Sequence, residues 1–419
     1  MTSLMERAGF RIAVIYGLGV MAAMTVGEAV IVLEAIGKEF NPANHALVGL
    51  VMSMPSLVVA VGALLAGHIV DRRGDRPVLL LGAAIAIVGD ILVILAPSMA
   101  LVLAARLFTG IGYVLAAVGA VTILIRITNG RQRTAALSLW STFVPVSFII
   151  PFLFGGVIHD LGSWRFAFGA HAIVTAMLLF VGATCLPHRA AGGEVQPLRT
   201  RGLKDVLRSP LPYLVGLSFA TDAFLQSGLI STLAPYLSRL YGVEAGSVQS
   251  WNVIAMLCNI AGCLMVGRLL NHGVPVYAVA VGGIVIAAIS IVVIYALSLG
   301  AMASVAASWT FMLGSGLLVG MWAIVPACAP SPERIGATSG LVTQITLVGV
   351  LLGPPFYFAG LASGEATNML LLGLLPLVGY FVAIPAWLHA SRHLARAGGA
   401  RREKRPDALL GAASESTTA

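Results

Sequence analysis

GHIVDRRGDRPVL, residues 67–79, crowds five Asp or Arg side chains and two glycines between two long apolar runs. The runs cover 46–67 and 77–97, and each is about the 20 residues a helix needs to cross a hydrocarbon layer of roughly 30 Å. A charged connection this short makes the two helices antiparallel neighbours. Gly67 is expected to let them approach closely, and Gly74 to permit the tight turn. Asp71 can face the positive end of a neighbouring helix or pair with an arginine, forming a charge latch with Arg72 and Arg76 at one mouth of the protein.

The same pattern extends in both directions. Spans of this length fall at about 11–33, 46–67, 77–97, 101–125, 135–158, 165–186, 211–236, 247–269, 275–298, 302–328, 336–360 and 367–389. The longest polar break, 188–210, carries Gly, Pro and five basic residues and divides the spans six and six. The expected organisation is an all-α integral membrane protein. Residues 1–187 form one six-helix bundle, 188–210 a cytoplasmic linker, 211–390 a second bundle, and 391–419 a disordered tail. Two duplicated six-helix halves around a central cavity are a transporter architecture.

Composition agrees. The 419 residues are 58% hydrophobic and only 10% charged, with mean hydropathy +0.96. A soluble domain carries roughly 25% charged residues, so this surface is built for a lipid bilayer. The net charge of +8 could point to nucleic acid, but of 25 Lys and Arg all except Lys38, Arg106, Arg165 and Arg239 sit at the N-terminus, in alternate loops or in the tail. That alternation is the positive-inside pattern, placing both termini in the cytoplasm and excluding a nucleic-acid partner. Arg7 and Arg11 precede an apolar run too long for a signal-peptide core, so it reads as an uncleaved first span. Cys185, Cys258, Cys263 and Cys328 lie in apolar stretches without metal-ligand spacing. No histidine cluster at metal spacing, phosphate-binding glycine loop or nucleotide domain is present in the sequence. The expectation is therefore no enzyme, no metal and no cofactor.

Residues 67–76 resemble the cytoplasmic motif of the major facilitator superfamily, Gly-x-x-x-Asp-Arg-x-Gly-x-Arg, at Gly67, Asp71, Arg72, Gly74 and Arg76. Asp75 stands where a basic residue is usual, a change expected to loosen the latch. Span four carries Arg106, Gly110 and Gly112 in a pattern similar to the family's Arg-x-x-x-Gly-x-Gly, with Thr109 where Gln is common. Span five has Pro151, Gly155 and Gly156 one residue out of register with the antiporter pattern Gly-Pro-x-x-Gly-Gly. Gly349, Gly353, Pro354 and Pro355 give span eleven a better-kept counterpart, read as close packing or as a flexible gate. The resemblance implies two six-helix bundles, alternating access and a small-molecule substrate, and it names no substrate.

Charges inside spans are the candidates for chemistry, because placing one there costs roughly 2.5–3.5 kcal/mol on insertion scales. Asp222, near the middle of span seven, is the first choice for a proton-coupling acid or a counter-ion to cationic cargo. A structural acid bonded to a neighbouring Ser or Asn is its competing reading. Glu28 in span one reads equally as a proton relay or as an acid facing vestibule water, and Asp90 as structural. Arg106 needs a buried partner, unless it snorkels to the interface. Trp140, Gln226, Asn252, Asn259 and Gln344 are the expected cavity lining. So few hydrogen-bonding groups suit amphipathic cargo better than sugars. The reading is a monomeric, proton-coupled exporter of amphipathic drugs or metabolites in a bacterial inner membrane. Its rivals are an importer of organic acids, with Arg106 holding the anion, and a non-transporting sensor of the same fold.

Overall fold

A computed structural model describes residues 2–128, 132, 136, 139–140, 142–187, 203–331 and 335–392. The described residues are helical, and twelve of their helices are long and apolar enough to cross a membrane. The first half contains Thr2–Val30, Ala46–Arg73, Asp75–Leu95, Met99–Ile127, Phe143–Asp160 and Arg165–Cys185. The second contains Pro210–Tyr241, Ala245–Asn271, Val276–Tyr295, Ala301–Gly320, Ile335–Ser363 and Ala366–Arg392. These are spans one to twelve, and the chain is a multi-pass membrane protein.

Several helices outrun their apolar stretch. Span two continues to Arg73 and span seven to Tyr241, because a helix that satisfies its own backbone hydrogen bonds has no reason to stop at the hydrocarbon edge. Span ten instead tightens into a 3₁₀ segment over Met321–Cys328. Within the expected linker a short helix runs from Leu203 to Arg208, and 188–202 lie outside the described residues. So does the tail from 393 onward.

The halves are inside-out relative to a soluble protein. Phe180, Leu95 and Val61 stand more than 70% exposed, while Arg106, Asp90 and His171 are fully enclosed. The principal seams between halves are span two against span eleven and span five against span eight. In the first of these the Cα of Gly49 faces the Pro354–Pro355 peptide so closely that a Cβ there would collide with backbone.

An even number of spans puts the start of span one and the end of span twelve on one face, the terminal face. On it, span two ends at Arg73, Gly74 takes φ 92, and span three begins at Asp75. This turn needs glycine. The expectation for Gly67 is corrected: a Cβ there would meet nothing within 4 Å. In this conformation no neighbour among the described residues has come near it. Asp75 also differs from its expected effect. It is 3% exposed, accepts from Arg126 Nε at 2.6 Å and Nη2 at 3.1 Å, and caps the Arg76 N–H at 2.7 Å. Rather than loosening a latch, it makes one between spans three and four. Arg76 Nη2 donates to the Ala183 carbonyl at 2.6 Å, adding span six. Asp71 and Arg72 fall in the last turn of span two, and their side chains lie outside the described part.

On the opposite, far face, Glu39 takes both Arg165 Nη nitrogens, at 3.0 and 2.8 Å, and Trp164 Nε1 at 2.6 Å. The Arg165 guanidinium holds the Glu39 carboxyl below its usual range. A carboxyl lowered by folding contributes stability above its unfolded value and loses it as pH falls through the folded one. Thermal stability is therefore expected to fall off below about pH 4. Glu39→Gln should flatten that decline at a cost under about 1 kcal/mol, since the pair is partly solvated. Unfolding scans across the acid range check this.

Candidate functional site

Three other spans of the first half meet on one arginine of span four. Arg106 is wholly buried, with its guanidinium 5.3 Å from the Phe168 ring centroid, so it does not snorkel. Nε donates to the Val51 carbonyl of span two at 2.9 Å, and Nη1 to Glu28 Oε1 of span one at 2.9 Å. Nη2 donates to the Thr25 carbonyl. Each of its three nitrogens is thus engaged. The motif glycines make the setting possible. A Cβ at Gly110 would stand 2.9 Å from Pro55 Cα on span two, and one at Gly112 2.6 Å from the Ala86 nitrogen on span three. Span four can lie this close to both neighbours only without those side chains.

Beside the Arg106–Glu28 pair lie Asp90 of span three and His171 of span six. His171 Nδ1 is 2.6 Å from Asp90 Oδ2 and 3.1 Å from Glu28 Oε2, and Nε2 is 2.9 Å from the Met21 carbonyl. All four side chains are at most 1% exposed. Asp90, expected to be structural, therefore belongs to the same group as Glu28. His171 was not anticipated, because one histidine in an apolar run reads as core. The signal that could have found it is the charge of Asp90, which demands a partner inside the membrane. Glu28, Asp90 and His171 also place one potential ligand atom each within 4.8 Å of one another.

The second half builds a different site. Asp222 is 1% exposed and accepts from Ser315 Oγ of span ten at 2.8 Å and from Tyr380 of span twelve at 3.0 Å. Asn259 Nδ2 of span eight reaches the same Ser315 oxygen at 3.3 Å and the Met312 carbonyl at 3.2 Å. Asn259 is thus joined to Asp222 through Ser315. Asn252 is also buried, its Nδ2 without a hydrogen-bond partner, whereas Gln226 and Gln344 are half-buried. Trp140 stacks on Phe143 at 4.5 Å and presses against Gly19 of span one. Glu28 and Asp222 occupy separate networks, one in each half. The four cysteines are free.

Twelve spans in two halves, with charge enclosed inside each, define a polytopic helical membrane protein of the transporter type. Residues 12–354 match the Major Facilitator Superfamily, and the chain belongs to that superfamily. Among curated proteins it is 28% identical over 236 residues to the uncharacterised MFS-type transporter YtbD of Bacillus subtilis, covering 55% of this chain and 57% of that one. It is 25% identical to the galactose–proton symporter of Escherichia coli K12 over 169 residues, or 40% of this chain and 36% of the relative. A third relative is the multidrug resistance protein MdtL of E. coli O81, at 30% over 149 residues, covering 36% of this chain and 38% of MdtL. The chain thus spans from about a third to just over half of these relatives. Among solved structures, a bacterial homologue of the human lysosomal transporter Spinster, inward-facing and occupied, superposes with TM-score 0.74. It shows 18% identity over 92% of this chain and 97% of that one. The inward-facing, unoccupied form of a bacterial Spinster homologue gives TM-score 0.72, with 18% identity over 93% and 98%. This likeness is one of fold.

Proposed function

We propose that the chain is a secondary active transporter that works by alternating access and couples proton movement to export of small amphipathic drugs or metabolites. The observation that carries this reading is the enclosed Arg106–Glu28 pair with a second carboxylate beside it. Such a group is costly to keep in a membrane, and ionisable residues held there at that cost mark proton and ion pathways. Glu28 is one coupling acid and Asp222 the other. The recorded partners of Asp222, Ser315 and Tyr380, are neutral, so binding a proton leaves that site without net charge. Trp140, Gln226, Asn252, Asn259 and Gln344 contribute the polar lining, and residues 67–76 gate the terminal face. That face is cytoplasmic by its basic loops, the membrane is a bacterial inner membrane, and the working unit is a monomer.

Export of uncharged or cationic cargo is favoured over import of organic anions because each Arg106 nitrogen already has an acceptor. An anion would have to displace Glu28. MdtL supports drugs as a cargo class by its name, and the galactose–proton symporter supports protons as the coupling ion.

The test is purified protein in proteoliposomes with an imposed pH gradient and an internal pH dye. Lipophilic cations, aromatic compounds and organic acids are added in turn. One class is expected to collapse the gradient, and Asp222→Asn should fold normally yet reduce that flux to the level of empty liposomes. Undiminished pH-driven flux in Asp222→Asn would remove Asp222 from coupling. A wild type that moves no protons with any compound would end the proton-coupled reading.

A further inference from the structure

Arg106 balances one of the two carboxylates beside it, which leaves the other to be balanced within the cluster. Counting Arg106 as +1 and ionised Glu28 and Asp90 as −1 each gives −1, and a single added proton makes the group neutral. The hydrogen-bond partners bear on where that proton sits. His171 Nε2 faces a carbonyl, which only accepts, so Nε2 carries a hydrogen. Nδ1 then faces Asp90 Oδ2 at 2.6 Å and Glu28 Oε2 at 3.1 Å. A bare lone pair would repel both oxygens, whereas an N–H between them attracts both. Among the described residues, neither Asp90 Oδ1 nor Glu28 Oε2, both buried, has another hydrogen-bond partner. Asp90 Oδ2 and Glu28 Oε2 are the acceptors within reach of the proton.

We propose that Glu28, Asp90 and His171 form one proton-binding site, with the proton seated on His171 Nδ1 between the two carboxylates, and that this proton is exchanged in each cycle. The exchange clause rests on the proton-coupled reading; the seat does not. Release breaks the Nδ1–H bond, hands the proton to water and leaves a neutral imidazole in a cluster of net charge −1. Rebinding from the opposite side restores neutrality. The charged groups recorded around Nδ1 are Glu28 on span one, Asp90 on span three and Arg106 on span four. Among the described residues, span two contributes the Val51 carbonyl to Arg106.

Charge balance makes the test specific. Full-length protein labelled with ¹⁵N-histidine is studied by NMR in lipid nanodiscs at neutral pH. His171→Asn identifies the signals of His171. A doubly protonated imidazole is expected in the wild type. Asp90→Asn, and separately Glu28→Gln, should convert it to the neutral form with hydrogen on Nε2, since either change leaves Arg106 balanced by one carboxylate. A neutral His171 in the wild type, or an unaltered imidazolium in Asp90→Asn, overturns the seat. Displacement of the Nδ1 proton by equimolar Zn²⁺ overturns it in favour of a metal site.

The exchange clause is read in the proteoliposome assay with the same compounds. Asp90→Asn is expected to lose the response to the pH gradient. If it keeps that response while Asp222→Asn loses it, the first-half site is not the exchanged one, although proton coupling stands. If the wild type moves no protons, the functional reading itself fails and the exchange clause with it.

Discussion

Replacing Arg106 with methionine is expected to lower stability by about 3–5 kcal/mol, because removing one partner of a buried ion pair strands the other. Methionine fills similar volume, so the loss measures charge rather than packing. Glu28 would lose the cation 2.9 Å from its oxygen, and the cluster would hold two acids against His171 alone. The measurement is the thermal unfolding midpoint and monodisperse yield of the purified protein. A second change, Glu28→Gln, should restore a substantial part of the loss, since Asp90 and His171 then balance each other. Coupling between such neighbours runs from about 0.5 to 3 kcal/mol. A double variant no better than the sum of the single ones would show that Arg106 acts through packing. Arg106→Lys should fall between, since an ammonium keeps the charge but cannot reach three acceptors on a planar fork.

The second large effect lies in the other half. Gly349 and Gly353 of span eleven face the Ala220 and Phe224 carbonyls of span seven, and a Cβ at either would collide with backbone. Gly349→Val is expected to cost 1–3 kcal/mol or more, because two helix backbones cannot yield as a flexible side chain can. Gly67→Val is the control, since no described residue lies within 4 Å of a Cβ at that position. It should alter stability by no more than about 0.5 kcal/mol. Loss of flux at unchanged stability in Gly67→Val would then mark a second conformation in which the terminal face closes on this turn. Equal destabilisation by both substitutions would contradict the seam described here.

What could be read in the chain follows from the range of the forces involved. Span positions depend on local apolar length, and all twelve were legible. Span ends depend on hydrogen bonding beyond the hydrocarbon, as at Arg73 and Tyr241, and were not. The turn at Gly74 was legible because its backbone requirement is local. The empty space at Gly67 was not, because it depends on which conformation the halves adopt. The span-four motif gave the site its centre, since a membrane arginine must have partners. Which partners it has is a matter of assembly. Asp90 and His171 are 81 residues apart in the chain. Nothing in the apolar run around His171 distinguishes a proton seat from a core residue. Asp75 was visible as a departure from the family pattern, but its bond to Arg126, 51 residues on, was not legible because it depends on assembly.

The contact between Gly49 and the Pro354–Pro355 peptide has a mechanical consequence. Both prolines lack an N–H, and Gly49 has no side chain, so neither surface offers the other a directional bond. The halves touch there like plain bearing faces. Their contact resists compression, yet only dispersion opposes sliding or parting. A rocking motion about this end would break no hydrogen bond at the Gly49–Pro354 contact itself. Such a joint sets a pivot without setting an angle. The choice between the two ends of the swing is left to the charges lodged inside the halves.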